Sequence, residues 1–201
     1  MATTRGRPRS FDRAAALEKA TRLFWERGYE GTSIADLTNA MGINPPSLYA
    51  AFSDKKTLFR EVVENYGATF GAFMGTALRE EATAYRAFAR ILREAAVEYT
   101  DPSHPAGCLI ISAATNVPTA NQDVQDALRR QRNQNVDLFE ARLRAAVAEG
   151  ELPPDVDTRA LAVFYAAVIQ GMSQQARDGV SRAHLRAVAE LALSAWPGSR
   201  R

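Results

Sequence analysis

The sequence predicts an all-α fold: an N-terminal three-helix helix-turn-helix unit followed by a larger helical domain, about nine helices in all. Three observations lead there. Apolar residues recur at helical spacing through most of the 201 residues, most cleanly at Leu161, Phe164, Tyr165, Val168, Ile169 and Met172. No run alternates apolar and polar residues as a half-buried strand does. Finally, the stretch Ser33 to Leu58 reads as two short helices joined at Gly42 and the start of a third, each introduced by a capping residue.

Taken in order, residues 1–10 carry Arg5, Arg7 and Arg9 and have nothing to pack. They form either an ordinary solvated terminus or an arm that meets phosphates or the minor groove. The first helix runs from Asp12, an N-cap, to Arg27, with Gly28 as the stop and Leu17, Ala20, Leu23 and Phe24 as its stripe. In the second, Ser33 caps, Asp36 completes a capping-box-like pair, and Ile34, Leu37 and Met41 share a face. Gly42 supplies the left-handed residue that ends it. Asn44 then caps again and Pro45 takes the first helical position, where a missing N–H costs nothing. The second helix of such a unit lies in the DNA major groove.

A fourth helix begins at Ser53 or Asp54 and carries Leu58, Phe59, Val62, Val63, Tyr66, Phe70, Phe73 and Met74. Its stripe exceeds what a three-helix unit needs, so it belongs to two cores. Gly67, Gly71 and Gly75 make a strip of small residues on one side, suited to close helix packing. After a break at 80–83, a helix with Tyr85, Phe88, Leu92, Ala95 and Tyr99 runs to Asp101-Pro102. A shorter one spans roughly 106–116, and a long one, polar on one side, spans about 121–149. Pro153-Pro154 ends that stretch. The last two helices are apolar enough to be buried on both sides, as in pairing with a copy of the chain. Ala162, Val163 and Ala166 on one, and Leu185, Val188 and Ala192 on the other, are the expected contacts.

Bulk composition narrows the function. Residues 1–60 hold ten Lys/Arg against six Asp/Glu, and the remainder fifteen against seventeen, so the basic end is N-terminal and nucleic acid is expected there. No signal-peptide pattern and no membrane-length apolar run is present, and a single Cys fits a reducing cytoplasm. His104 and His184 stand far apart with no metal-ligand spacing, and no phosphate-cradling glycine loop or nucleophile elbow occurs. The sequence therefore offers no residues for an enzyme and implies no metal or cofactor.

The first third of the chain resembles the TetR/AcrR family of bacterial transcriptional repressors. The match runs through Gly6-Arg7-Pro8-Arg9, Ala20-Thr21-Arg22-Leu23-Phe24, Gly28-Tyr29-Glu30-Gly31-Thr32-Ser33, Gly42 to Tyr49, Phe52-Ser53-Asp54-Lys55-Lys56 and Leu58-Phe59. The resemblance implies an arm (1–10), a DNA-binding domain (11–59) and a ligand-binding and dimerisation domain (60–201). It implies palindromic operator DNA bound by a homodimer and released by a small molecule. Carried onto this chain, Ser33 would donate to phosphate, Pro45, Pro46 and Ser47 would head the recognition helix, and Tyr49, Lys55 and Lys56 would meet the backbone. Asn44 joins them. The exposed turn has Pro, Pro and Ala where relatives often carry Lys, Arg or Gln, so base reading would rest on thymine methyls, Asn44, Ser47 and operator shape.

An effector pocket is expected among Phe70, Phe73, Phe88, Leu92, Cys108, Leu109, Ser112, Asn116, Phe139, Phe164, Tyr165, Val168 and Met172, its aromatic surplus pointing to an apolar or aromatic ligand. For each residue, plain core packing is the rival and commoner reading. Cys108 opens a helix, where the dipole would lower its pKa, so it is either a small buried residue or a sensor of oxidants and electrophiles. Two further readings compete: an architectural DNA-binding protein without effector, and an all-helical carrier, which leaves the Arg arm, Tyr49 and Lys55 unexplained.

Overall fold

The computed structural model describes residues 11–198; the basic arm with Arg5, Arg7 and Arg9 lies outside them. Within that span the chain forms ten α-helices and one 3-10 turn, and no strand occurs among the described residues. The N-terminal unit is α1 (Arg13–Arg27), α2 (Ile34–Met41) and α3 (Pro45–Phe52). There follow α4 (Lys55–Ala68), α5 (Ala72–Glu80), α6 (Ala84–Glu98) and the single-turn α7 (Leu109–Ser112). The 3-10 turn Thr119–Asn121 leads into α8 (Gln122–Ala148), and α9 (Thr158–Arg177) and α10 (Arg182–Ser194) complete the fold.

The caps behave as the residues dictate. The Asp12 carboxylate accepts from the amides of Ala14 and Ala15 at 2.9 and 3.1 Å. Asp54, Thr83, Asp157 and Ser181 open α4, α6, α9 and α10 in the same manner. Each supplies an acceptor to an amide that the helix itself leaves unpaired.

Two expectations about helix extent need correction. The long fourth helix is two helices, because the chain breaks at 69–71. Thr69 turns its hydroxyl onto the Asn65 carbonyl at 2.7 Å, and the Gly71 amide donates to Tyr66 O at 2.8 Å, closing a turn rather than another helical repeat. Glycine at 67 and 71 removes the side-chain support that would carry a helix through. The predicted helix over 106–116 is one turn only, with loop on either side.

α1 packs on α2 and α4 around Phe24, Leu37, Leu48, Phe52, Leu58 and Phe59, all buried. The other side of α1 presents Trp25, which stacks on His104 with centroids 4.5 Å apart and meets Tyr66 and Phe70 edge-on. This aromatic cluster makes the N-terminal core continuous with the larger one. α6 lies at the centre of the larger domain against α5, α8, α9 and α10. Phe88 there meets Phe139, Tyr165 and Trp196 with centroid separations of 5.1, 4.7 and 5.8 Å. Rings at these distances add attraction beyond their buried area.

Polar tethers tie the two parts together. Tyr29 N–H donates to Ala113 O at 2.7 Å, directly after α7. Arg177 on α9 donates to Trp25 O at 3.1 Å, serving a carbonyl at the end of α1. Lys56 pairs with Asp123 at 2.8 Å, and Asn121 donates to Glu30 at 2.7 Å. The helix-turn-helix unit is thus held to both α7 and the start of α8.

Candidate nucleic-acid interface and ligand cavity

The geometry around Gly42 is that of a helix-turn-helix. Gly42 sits at φ 73°, ψ 34°, the left-handed region that glycine enters without a Cβ clash, and its N–H donates to Thr38 O at 2.9 Å. Asn44 Oδ1 accepts from the Ser47 amide at 2.9 Å, so α3 begins on a capped turn with Pro45 in its first position. Leu48 and Phe52 point inward, whereas Asn44, Pro45, Pro46, Tyr49 and Ala50 are exposed. The head of α3 is therefore an uncharged surface with the Asn44 amide and the Ser47 and Tyr49 hydroxyls as its polar groups.

Ser33 caps α2, but its donors are already occupied. Its hydroxyl lies 2.5 Å from Asp36 Oδ2 and its amide donates to the same oxygen at 2.9 Å, while the Asp36 amide returns a bond to Ser33 Oγ at 3.0 Å. Those bonds, with Arg27 adding a smaller pull, hold the Asp36 carboxyl below its usual range. A phosphate at this helix start would meet the amides of Ile34 and Ala35, which the capping box does not use.

Lys55 and Lys56, neighbours at the start of α4, do different things. The Lys55 ammonium sits 4.2 Å from the centroid of the Tyr29 ring, and burial lowers its pKa. Tyr29, also desolvated and beside Glu30, has its phenol pushed up to about 12. Lys56 is turned away: its Nζ donates to Asp123 Oδ1 at 2.8 Å and to Ala120 O at 3.1 Å. Without DNA, the Lys56 charge is thus engaged with the start of α8.

A cavity of about 410 Å³ opens between α4, α5, α7, α8 and α9. It is of a size that small-molecule sites commonly have. Met74, Leu78, Ile110, Ile111, Phe139 and Ile169 give its apolar wall. Tyr66, Tyr99, Cys108, Gln131, Arg132, Asn135 and Gln170 supply polar groups. Gly67, Gly71 and Gly75, expected to allow helices to touch, instead line this space; a Cβ at each would meet Gln131, Tyr66 or Arg79.

Of the residues expected in a pocket, the structure brings Cys108 and Phe139 to the cavity wall and places the others elsewhere. Phe88, Leu92, Leu109, Tyr165 and Met172 are buried in the core. Phe70 joins the Trp25 cluster, and Phe73 meets Tyr99 edge-on at 6.3 Å. Ser112 donates to Cys108 O at 2.9 Å, Val168 is half-buried away from the cavity, and Asn116 is exposed. Phe164 projects outward from α9, 39% exposed. Sequence reasoning missed Tyr66, Tyr99 and Arg132, whose only signal was a polar group on an otherwise apolar helix face.

Cys108 takes the buried one of its two expected settings, not the dipole-activated one. Burial pushes its thiol pKa up, and hydrogen bonding from its neighbours only partly offsets this. A four-residue helix carries too little dipole to reverse that desolvation.

The outward faces of α9 and α10 carry the apolar surface. Val163, Phe164, Val188 and Leu191 are exposed, Leu191 to 71%. Ala162, Ala166, Leu185 and Ala192, expected to face a second copy, are instead buried within this chain, and Ala166 reaches the cavity. Val163 and Val188 of the expected set lie on the outward face, whereas α6 and α8 cover the inner side where the other four sit. Among the described residues no helix is long and apolar enough to cross a membrane.

Comparison with known proteins agrees with this architecture. Residues 16–62 match the model of bacterial regulatory proteins of the tetR family, and residues 84–191 match the Tetracyclin repressor-like C-terminal domain. The chain is 40% identical to the HTH-type transcriptional repressor ComR of Escherichia coli, over 96% of this chain and 93% of that one. It is 30% identical to the repressor BdcR of the same organism, over 93% and 90%. Among solved structures, a triple-cysteine mutant of the TetR family regulator CifR in complex with 26-base-pair operator DNA is 45% identical over 96% of this chain and all of that one, with a TM-score of 0.92. With both halves matched in order and the helix-turn-helix in place, the chain belongs to the TetR family of DNA-binding bacterial transcriptional regulators.

Proposed function

We propose that this protein is a repressor that binds a palindromic operator as a homodimer and leaves it when a small effector enters the cavity. The observation that carries the reading is the continuity of α7: Cys108, Ile110 and Ile111 touch the cavity at one end, and Ala113 O holds the Tyr29 amide at the other. A ligand that binds one arrangement of α7 better than another biases the position of the helix-turn-helix unit, by its differential affinity alone.

On DNA, α3 enters the major groove with Asn44, Pro45, Pro46 and Ser47 leading, while Tyr49, Lys55 and the start of α2 near Ser33 meet phosphates. Two such units on a two-fold dimer must stand about 34–36 Å apart to reach successive grooves. Val163, Phe164, Val188 and Leu191 form the pairing surface. CifR, 45% identical, was solved with double-strand operator DNA, which supports the DNA half of the proposal.

Footprinting of the purified protein on the DNA upstream of its own coding sequence tests it. Two protected half-sites about one helical turn apart are expected. Absence of protection on that DNA and on neighbouring promoters would overturn the repressor reading.

The cavity position of Cys108 favours a second reading, in which an electrophile or oxidant reaches the thiol and releases DNA. A Cys108→Ser protein that still leaves the operator on electrophile treatment would end it.

A further inference from the structure

The cavity has a chemical polarity that the predicted apolar or aromatic effector does not explain. At one end Tyr66 and Tyr99, 1% and 0% exposed, carry hydroxyls that have no nitrogen or oxygen partner. Both hydroxyls are turned to the Cys108 thiol, and Arg132 lines the same cavity as all three. Two phenols and a guanidinium therefore border one cavity, and the partner the phenols have there is a thiol, a weak acceptor. Arg132 spends one N–H on Ile110 O at 2.8 Å and pairs with no carboxylate among the described residues. No Asp or Glu lines the cavity, whereas Arg79 stands at its α5 side. A desolvated guanidinium with one carbonyl acceptor and two buried phenols served only by a thiol are costly, and each is relieved by an oxygen that accepts. Met74, Leu78 and Phe139 add an apolar lining to the same cavity.

We propose that the effector is an amphiphilic monocarboxylate, its carboxylate held by Tyr66, Tyr99 and Arg132 and its apolar tail laid along Met74, Leu78 and Phe139. This rests on the reading of the cavity as the effector site and adds the class of molecule. The charge follows from Arg132, which a neutral acceptor satisfies less well than an anion in a site of low dielectric. The tail follows from the apolar lining of Met74, Leu78 and Phe139. A cationic ligand is opposed by Arg132 and Arg79 and finds no counter-charge in the lining.

The test uses the full chain, with octanoate, octanamide and octylamine as probes, in calorimetry and in tryptophan emission. Trp25 packs edge-on against Tyr66 at 4.9 Å, so its emission reports occupation of the polar end. Octanoate is expected to bind, octanamide at least about tenfold more weakly, and octylamine more weakly still. Arg132→Gln, and separately the Tyr66→Phe/Tyr99→Phe pair, are expected to weaken octanoate by about tenfold or more while leaving octanamide within about threefold and helical content unchanged. Equal binding of octanamide or octylamine, no octanoate binding at millimolar concentration, or octanoate affinity unmoved in both variants would overturn the assignment. Operator release is read separately by DNA anisotropy. Octanoate that binds without releasing operator leaves the ligand chemistry standing and refutes the effector role. Release by a neutral compound alone does the reverse.

Discussion

Gly28 lies so close to Ala113 that a Cβ built on it would stand 3.0 Å from the Ala113 carbonyl oxygen, the same oxygen that accepts the Tyr29 amide. Gly28 also holds φ at 74°, where an L side chain is strained. Here α1 ends against α7, so the junction between the helix-turn-helix unit and the cavity depends on a residue without a side chain. Gly28→Ala is expected to cost about 1–2 kcal/mol through strain and crowding. In a chain of this size that lowers Tm by roughly 2–8 °C. Thermal denaturation followed by circular dichroism measures it, and an unchanged Tm would show that the junction is slack.

The two lysines that open α4 separate by their salt dependence. Lys55 rests on the Tyr29 ring and makes no ion pair among the described residues, so its charge is open to phosphate, whereas Lys56 pairs with Asp123 and Ala120 O. Lys55→Gln should reduce the slope of log affinity against log salt by about 0.9, the counterion share of one phosphate. Lys56→Gln should leave that slope unchanged and alter the ligand-dependence of operator binding instead, because it loosens α4 from α8. Equal slopes for the two variants would contradict this division.

Pairing through α9 and α10 is tested at the apolar residues that are exposed, not at those buried within the chain. A Val163→Asp/Leu191→Asp protein is expected to sediment as a monomer with unchanged helical content. It should lose at least about tenfold in affinity for a palindromic operator, since linked half-sites gain from effective concentration. Retention of the dimer would move the interface elsewhere.

Cys108 gives a pH prediction. Its folded pKa is raised by burial, so the neutral thiol is the form the fold favours. Its stabilising contribution is therefore complete below the ordinary thiol pKa and is lost as pH rises through the raised value. Alkylation by iodoacetamide at pH 7 should be slow in the folded protein, accelerate toward alkaline pH and become rapid in denaturant. Fast native-state alkylation at neutral pH would show a thiolate.

Much of the architecture is legible in local chemistry, because a cap needs only its neighbours. Asp12, Ser33, Asn44 and Ser181 each open a helix where the sequence places one, and Gly42 makes the turn. The pocket was not legible. Phe88 and Tyr165 carry the large rings that suggest a ligand site, yet Trp196 arrives from beyond α10 and closes over them. Tyr66, Tyr99 and Arg132 come from α4, the end of α6 and α8, and nothing in their spacing announces that they meet.

By itself, then, the sequence determined the all-α class, the helix-turn-helix with its Pro-Pro-Ser head, and the family. These depend on residues within a turn or two of one another and on helical period. The tertiary structure decided which face of α9 is inside, where Lys56 spends its charge, and where the cavity opens. Those outcomes depend on the break at 69–71 and on the packing of α6, α8 and α9, which set distances between residues far apart in the chain. A helical stripe says that a face is buried; only its neighbours say against what.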